Sequence, residues 1–384
     1  MPLNFTRSWS DEDLDRWRDT VVRFVEDELV PQDEQARANG HVGHALWRRA
    51  GELGLLCTDI PEAYGGAGGD FRHEAVLYEE CARRALSGWG NSVHTIVAHY
   101  FLNHGTEDQK QRYLPRLARG ELVGAIAMTE PGAGSDLQGV RARAEKHSDG
   151  YLLNGSKTFI TNGYLAGVVL VVCKTDPSQG AKGTSILIVE TDPAVSPGYR
   201  FGRRLDKLGM KAQDTSELFF DNVVVPQANL LGGREGQGFY QLMGDLPYER
   251  LIIGVTALAT MEGAYQATLD HVRDRQAFGQ PIANFQNTRF KLAEVATQIQ
   301  VGRAFIDRCV EQLVKGQLDT ATAGMAKLWG SETQGRVLDE CLQLFGGYGF
   351  MNEYMIARMY ADARVQRIYG GTSEVMKEVI ARAL

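Results

Sequence analysis

The chain has 384 residues, of which 43% are apolar and 23% charged, a composition that suits roughly two or three packed globular domains. Its formal net charge is −7, which argues against nucleic acid as the main partner because phosphate binding requires a basic surface. The five cysteines are scattered and form no C-x-x-C pair, so we expect neither a disulfide framework nor a bound metal. The sequence also lacks a signal peptide and a run of about 18 apolar residues, which predicts a soluble, cytoplasmic protein without a membrane span.

Residues 1–121 are predicted to form an N-terminal α-helical domain. Ser10 is the expected N-cap of the first helix. Apolar side chains then recur at helical spacing at Leu14, Trp17, Val21 and Phe24. A glycine-rich loop at residues 61–70 is predicted to join two later helices, and its composition alone indicates a flexible connector.

Residues 122–232 are predicted to form a middle β domain, either a barrel or a sandwich, because short β-rich runs alternate with turn dipeptides. Its first strand breaks into a turn at residues 127–139, where three glycines let the backbone approach a ligand closely. Farther on, Phe159 and Thr161 are expected on one face of a strand, since side chains alternate. On these residues alone, an ordinary turn and ordinary sheet packing remain open interpretations.

Residues 233–384 are predicted to form a C-terminal domain of the four-helix-bundle type. One long helix carries an apolar seam for helix-on-helix packing at Leu292, Val295, Ile299, Gly302, Ile306, Cys309 and Leu313. Further helices are predicted at residues 320–345 and 373–383. The complete chain is therefore expected to be α+β, with a helical, a β and a second helical domain in that order.

The string AMTEPGAGSD at residues 127–136 resembles the first signature of the acyl-CoA dehydrogenase family. The order of the three domains is similar to that family as well, and the resemblance extends from about Leu14 to Leu384. It implies the acyl-CoA dehydrogenase fold and FAD as cofactor. Phe159 stands where the family has the tryptophan of a W-I-T segment that covers the isoalloxazine ring.

Two further motifs bear on the cofactor. Residues 343–362 match the second family signature, Q-x-x-G-G-x-G, and residues 275–286 resemble R-x-x-F-G-x₆-Q, whose arginine (here Arg275) reaches the FAD pyrophosphate of a neighbouring subunit. The start of the last helix, at Thr372, suits an anion. The resemblance thus implies an FAD site made of Ile126, Met128, Thr129, Gly134, Ser135, Phe159, Ile160, Thr161, Arg275, Phe278, Gln286, Gln343, Leu344, Phe345, Gly346, Gly347, Thr372, Ser373 and Glu374.

The catalytic base is expected to be Glu249. Short- and medium-chain members read I-Y-E-G-T where this chain has Gly370, so their catalytic glutamate is missing here. The string LPYERL at residues 246–251 resembles the long-chain and isovaleryl-CoA subgroup, in which the base lies on a helix. A glutamate near a helix start is also favoured by the helix dipole, so the prediction depends on both features together. Gly370 would keep a backbone N–H for the thioester oxygen, and Arg250 would support the helix start or form a structural ion pair.

The resemblance implies α,β-dehydrogenation of an acyl-CoA thioester to a trans-2-enoyl-CoA, as in fatty acid β-oxidation, by α-proton abstraction and β-hydride transfer to flavin N5. The acyl chain is expected to be medium, long or methyl-branched, and the floor of its pocket is expected near residues 87–101. The implied substrate contacts are Ser135, Ala181, Lys182, Tyr240, Pro247, Tyr248, Glu249, Arg250, Gly370 and Gly371.

The expected partners are an electron-transferring flavoprotein as electron acceptor and further copies of the chain in a homotetramer. Two alternatives on the same scaffold remain: a flavin oxidase or monooxygenase, and a non-enzymatic nucleic-acid-binding protein. Acyl-CoA oxidases are usually longer, nitroalkane-oxidising relatives have aspartate at the Gly370 position, and nucleic-acid binders need a basic surface.

Overall fold

The computed structural model describes residues 5–384, and its first part is the predicted set of helices. These are α1 (Glu12–Phe24), α2 (Asp33–Asn39), α3 (His44–Glu52), α4 (Phe71–Arg83), α5 (Asn91–His104) and α6 (Glu107–Ala118). The N-cap of α1 is Asp11, so the expectation of Ser10 was wrong. Asp11 has an extended backbone and its carboxylate accepts a hydrogen bond from the Leu14 N–H, whereas the Ser10 hydroxyl donates to Asp15.

The middle part is the predicted β domain, and its strands form one seven-stranded sheet. The strands are β1 (Gly124–Ala127), β2 (Arg143–His147), β3 (Gly150–Thr161), β4 (Val168–Lys174), β5 (Thr184–Glu190), β6 (Tyr199–Arg204) and β7 (Thr215–Pro226). Their order is β1-β4-β2-β3-β7-β6, with β5 paired to β4. β1 runs parallel to β4, whereas β3 and β7 form a long antiparallel pair whose register shifts twice.

The last part is helical, as predicted. It contains α7 (Gly238–Asp274), the short hairpin β8 (Gln276–Ala277) and β9 (Gln280–Pro281), α8 (Gln286–Val314), α9 (Thr320–Phe345), α10 (Met355–Ala363) and α11 (Ser373–Ala381). The predicted seam lies on α8 and is buried except for Leu313, which is only partly covered. Gly302 is needed there because a Cβ atom would lie 2.2 Å from the Trp329 ring. Within residues 5–384, no helix is both long and apolar enough to cross a membrane.

Helix α7 joins the three parts, since it packs against α4 and α5 as well as α8 and α9. Its crossing with α4 is close: a Cβ atom at Gly263 would lie 2.2 Å from the Arg83 carbonyl oxygen. A single apolar core therefore runs from the N-terminal helices through α7 into the C-terminal helices, with a second core inside the β domain. The functional site lies where α4, α5 and α7 meet strands β1 and β3.

Candidate active site

A cavity of about 280 Å³ lies at this junction. Helices α4, α5 and α7 supply one wall, the ends of β1 and β3 supply another, and the segment from α10 to Gly370 closes the third. Most of its lining is apolar, including Cys81, Ala82, Ala85, Leu86, Trp89, Val93, Ile96, Ile126, Met128, Phe159, Ile160, Ile252, Ile253 and Met359. Of the stretch 87–101 predicted for the pocket floor, only part lines the cavity, namely Ser87, Trp89, Asn91, Ser92, Val93 and Ile96. The C-terminal half of α4 and the side of α7 form as much of the wall.

The turn after β1 is held by a buried ion pair that sequence reasoning missed. Lys157 Nζ lies 2.8 Å from Glu130 Oε1 and donates to the Met128 carbonyl oxygen at 3.0 Å. The Glu130 carboxylate also accepts hydrogen bonds from the N–H groups of Arg141 and Ala142. These contacts tie both ends of the turn to β3, and they present Met128 and Thr129 to the cavity. Gly134 and Ser135 are exposed and lie outside its lining.

The segment around Phe159 departs from regular strand geometry. Phe159 has a φ of +60° at a register shift between β3 and β7, so the expected alternation of side chains is interrupted. As a result, Phe159, Ile160 and Thr161 all line the cavity, rather than Phe159 and Thr161 alone. Phe159 is 67% exposed, so its aromatic surface is open to a ligand.

Glu249 lies on the wall of the cavity, two residues after Pro247 within α7. Its Oε1 atom accepts a hydrogen bond from the Tyr100 hydroxyl at 3.1 Å. Burial raises the pKa of this carboxyl to about 7; the Tyr100 hydrogen bond opposes the rise, Asp245 adds to it, and Arg250 opposes it. A carboxyl group that titrates near neutrality can accept a proton and release it again at ordinary pH.

A second carboxyl group, Asp362, also lines the cavity but is held by protein donors on both oxygens. The Ser87 hydroxyl donates to Oδ2 and the Met210 N–H donates to Oδ1. Burial raises the pKa of Asp362, and these two hydrogen bonds oppose the rise. Asp362 therefore ties three segments together, whereas Glu249 accepts a hydrogen bond from the described residues at one oxygen only.

Gly370 lines the same cavity as Glu249 and has a φ of +64°, in the left-handed region that glycine favours. A Cβ atom there would lie 2.6 Å from Ile253 Cδ1, so a side chain would displace the isoleucine. The Gly370 N–H has no hydrogen-bond acceptor among residues 5–384. An unpaired N–H at the edge of an apolar cavity is a candidate donor to a ligand oxygen.

Arg250 is only 4% exposed, and the structure shows no ion pair for it with any described residue. Its Nε and Nη1 atoms are buried without hydrogen-bond partners, and burial lowers the pKa of its guanidinium while Glu249 opposes that effect. Lys327 lies nearby on α9 and donates to the Gly371 carbonyl oxygen at 2.6 Å. Burial and the charge of Arg250 lower the pKa of Lys327 to about 8. Two buried cations thus lie behind the Gly370–Gly371 turn.

Several predicted cofactor residues lie outside the cavity of their own chain. Arg275, Phe278, Gln286, Gln343, Gly346 and Gly347 are exposed, and a Cβ atom at Gly346 or Gly347 would meet open space. Leu344 is partly buried, and Phe345 is buried and stacks on His271 with ring centroids 4.1 Å apart. Thr372 caps α11 by accepting from the Val375 N–H, and the Ser373 hydroxyl donates to Glu332, while Glu374 is exposed.

The predicted substrate contacts divide in the same way. Glu249 and Gly370 line the cavity, whereas Pro247, Tyr248, Arg250 and Gly371 do not. Tyr248, which was predicted to line the entrance, is buried, and its hydroxyl donates to Asp59 Oδ2 at 2.9 Å. Ala181, Lys182 and Tyr240 also lie outside the cavity lining, with Lys182 and Tyr240 exposed.

The cavity fits the flavin ring that the sequence implies. Apolar and aromatic surface from Ile126, Met128 and Phe159 faces it, as a flat heteroaromatic ring requires. Gln334 Oε1 and Gln366 Oε1 are buried and without hydrogen-bond partners, although both side chains line the cavity. Buried polar atoms are rarely left unpaired, so these oxygens suit the polar edge of a bound ligand.

Comparisons with known proteins agree with this geometry. The chain matches the acyl-CoA dehydrogenase N-terminal domain over residues 11–121, the middle domain over 125–223 and the C-terminal domain over 236–384. It is 47% identical over 373 residues to the mitochondrial long-chain specific acyl-CoA dehydrogenase of Rattus norvegicus. The alignment covers 96% of this chain and 86% of the rat protein.

Solved structures show the same likeness. The acyl-CoA dehydrogenase of Geobacillus kaustophilus superposes with a TM-score of 0.94 at 43% identity, over 98% of this chain and 99% of that one. A glutaryl-CoA dehydrogenase of Mycobacterium smegmatis in complex with FADH2 gives a TM-score of 0.90 at 30% identity, over 97% and 95% of the two chains. The chain belongs to the acyl-CoA dehydrogenase family and is an FAD-dependent oxidoreductase.

Proposed function

We propose that this protein dehydrogenates a long-chain acyl-CoA thioester to the trans-2-enoyl-CoA, with Glu249 as the catalytic base. The observation that carries the proposal is the pair formed by Glu249 and Gly370 on the cavity lining. One is a carboxyl with a pKa near 7 and a free oxygen, and the other is an unpaired backbone N–H. The second cavity carboxyl, Asp362, is the weaker candidate because protein donors occupy both its oxygens.

In this mechanism Glu249 removes the proton from the α-carbon of the thioester. That carbon is a very weak acid, so the negative charge that develops on the thioester oxygen must be stabilised as the proton leaves. The Gly370 N–H would donate to that oxygen, and the buried cations Arg250 and Lys327 would favour the charge from behind the turn. Bound FAD supplies the acceptor for the β-hydride at its N5 position.

The apolar lining supports a long acyl chain. Along α7 it continues from Glu249 through Ile253 and Thr256 to Thr260, where Tyr78 and Cys81 of α4 face it. Because an α-helix rises about 1.5 Å per residue, this stretch is about 16 Å long. The 47% identity to a long-chain specific relative favours the same substrate class. A methyl-branched chain is the second candidate, by resemblance to the isovaleryl-CoA subgroup, which shares the helix-borne base.

Two exposed residues of the β8–β9 region bear on the assembly. Arg275 and Phe278 are exposed and do not line the cavity of their own chain, which suits contact with FAD in a neighbouring copy. We therefore propose a homo-oligomer, a tetramer by family resemblance. An electron-transferring flavoprotein would accept the electrons from reduced FAD.

The test is anaerobic reduction of the FAD-loaded protein by a panel of straight and methyl-branched acyl-CoAs, followed by loss of the flavin absorbance. Wild type and the surface control Glu294→Gln should lose that absorbance, most rapidly with long chains. Glu249→Gln should bind FAD and react slower by about 10²–10⁴-fold or more, since it lacks the general base.

Two results would overturn the proposal in different ways. Reduction at the wild-type rate in Glu249→Gln would assign the base to another residue. If no thioester reduced the wild-type protein, the proposed acyl-CoA dehydrogenase activity would be wrong, and a flavin oxidase or monooxygenase would be favoured.

A further inference from the structure

Helices α5 and α7 face each other through matched polar groups. On α7, Asp245 and Glu249 lie one helical turn apart, and on α5 the residues Tyr100, Asn103 and His104 span one turn. Asn103 Nδ2 donates to Asp245 Oδ1 at 2.6 Å, and His104 Nε2 lies 2.7 Å from Asp245 Oδ2. The Tyr100 hydroxyl donates to Glu249 Oε1 at 3.1 Å. Each carboxylate of α7 is therefore held by its own donors on α5.

The same stretch of α7 is anchored at a third point. Pro247 lies inside the helix and has no N–H, so the backbone bond that would normally reach back one turn is missing there. The Tyr248 hydroxyl donates to Asp59 Oδ2, and His99 Nε2 lies 2.9 Å from the same oxygen. The His99 and Tyr248 rings are packed with centroids 4.1 Å apart. Contacts from α5 thus hold a helical segment that its own hydrogen bonds hold less firmly.

We propose that Tyr100 is the positioning residue of the base Glu249. Asp245, which Asn103 and His104 hold in place, opposes the stabilisation of the Glu249 carboxylate by Tyr100. Tyr100 fixes one carboxylate oxygen and leaves the other directed to the substrate, while Asp245 keeps the carboxylate from being too strongly stabilised. This inference rests on the proposed role of Glu249 in the reaction.

Tyr100 is suited to this task because it is completely buried and its hydroxyl has no other hydrogen-bond acceptor among the described residues. A hydrogen bond to a carboxylate favours its charged form, whereas a neighbouring negative charge disfavours it. Both effects act on the pKa of Glu249: after burial, which raises it, the Tyr100 hydrogen bond lowers it and Asp245 raises it. The two residues therefore have opposite effects on the proton affinity of Glu249.

Other charged or titratable groups around Glu249 are few. On α7 itself Arg250 opposes the raised pKa of Glu249. Beyond Arg250 lies Lys327 of α9. The remaining groups that share the cavity or contact Asp245 are Tyr78 of α4, Cys81 of α4, His104 of α5, Asp362 of α10 and Tyr369 before Gly370. Tyr100→Phe removes the one hydrogen bond to Glu249, whereas Asp245→Asn removes a negative charge and also alters the contacts of Asp245 with Asn103 and His104.

The experiment measures the titration of the Glu249 carboxyl without substrate. Infrared spectra of the FAD-loaded protein are recorded against pH, and the spectrum of a matched Glu249→Gln protein is subtracted at each pH to isolate this one carboxyl. Tyr100→Phe should move the midpoint upward by about one pH unit, since a hydrogen bond to a charged group is lost. Asp245→Asn should move it downward.

The matched control is Tyr113→Phe. Tyr113 is also completely buried and donates to a glutamate, Glu190 at 3.1 Å, but it lies on α6 away from the cavity lining. This variant loses the same chemical group and should leave the Glu249 midpoint unchanged. Retained FAD and a cooperative unfolding transition show that each variant is folded.

A second readout follows the reaction. The pH at which flavin reduction by an acyl-CoA reaches half its maximal rate should move upward in Tyr100→Phe and downward in Asp245→Asn, in step with the infrared midpoints. A purely structural role for Tyr100 would lower the rate at every pH and leave both midpoints in place, which would overturn the inference.

The two readouts separate the inference from the proposed function. Shifted infrared midpoints with no reduction by any acyl-CoA would support the α5 contacts and remove the dehydrogenase proposal. Unshifted infrared midpoints, with reduction that needs Glu249, would overturn the role of Tyr100 and Asp245 while the proposed function stands.

Discussion

Helix α7 passes through two buried polar regions that contain the same residue type in opposite settings. Around Arg303, the carboxylates of Glu79 and Glu262 are paired with arginines, with N–O distances of 2.7 Å to Glu79 and 2.5 Å to Glu262. Around Glu249, the nearest groups are a tyrosine, another carboxylate and a buried arginine that makes no hydrogen bond to it. In the first region arginines neutralise the buried carboxylates, whereas in the second no cation among residues 5–384 forms an ion pair with Glu249.

The consequences for proton affinity are opposite. Glu80 belongs to the same paired region, because it shares Arg83 with Glu79 and Glu262. Burial raises the pKa of Glu80, but Arg83 and then the other arginines around it outweigh burial and bring the pKa to about 2. At Glu249 burial prevails, and the pKa is about 7. The comparison teaches that burial alone does not make a carboxylate reactive. A carboxylate that is fully paired with arginines stays charged, whereas a buried carboxyl with fewer cations around it titrates near neutrality, as the proposed base must.

The largest effect is expected from breaking the paired region. Arg303 is 2% exposed and contacts Glu79, Glu262 and Asp307. Arg303→Met should lower the free energy of unfolding by about 3–5 kcal/mol, because three carboxylates lose their shared cation inside the protein. Denaturant unfolding of the FAD-loaded protein measures this.

The matched control is Arg382→Met, which removes an exposed pair with Glu378 one helical turn away. It should change the unfolding free energy by less than about 0.5 kcal/mol. A loss of similar size in both variants would mean that the buried cluster contributes no more than a surface pair.

A smaller effect is expected at Glu74, which is buried and accepts hydrogen bonds from Thr58 rather than from an arginine or lysine. Burial, and then the charge of Asp59, raise its pKa from 4.5 to about 7. A carboxyl whose pKa is raised by folding binds a proton more tightly in the folded state, so its contribution favours folding at low pH and is lost as pH rises from about 4.5 to about 7.

Glu74→Gln keeps the oxygen that accepts from the Thr58 N–H and hydroxyl and removes the titration. The variant should therefore be more stable than wild type at pH 8, by about 2 kcal/mol, and closer to it at pH 5. Chemical denaturation at the two pH values measures the difference. A stability difference that does not change with pH would contradict the assignment.

Much of the fold was predictable because local patterns determine it. Helical spacing of apolar residues predicted α1 and the α8 seam, and the bounds expected for α9 agree with the structure. The replacement of a loop glutamate by Gly370 together with a new glutamate at position 249 indicated where the base would lie. The structure puts both residues on the lining of one cavity, although they belong to segments about 120 residues apart in the sequence.

The supporting contacts could not be predicted in the same way. Tyr100 and Glu249 are separated by 149 residues, and Glu130 and Lys157 by 27, so no local spacing connects them. The left-handed backbone of Phe159 depends on a register shift between β3 and β7, which alternation of side chains does not reveal. Asp245 gave one usable signal, since it lies one helical turn before Glu249 on the same helix face.

The most direct test of the central claim is the pH dependence of the first turnover in the wild-type protein. FAD-loaded protein is mixed anaerobically with a long-chain acyl-CoA at pH values from about 5 to about 9, and the rate of flavin reduction is recorded. Because the base must be unprotonated, the rate should rise as pH passes through about 7, and this limb should be absent in Glu249→Gln. A rate that does not change over this range, or a rising limb that survives in Glu249→Gln, would contradict the assignment of Glu249 as the base.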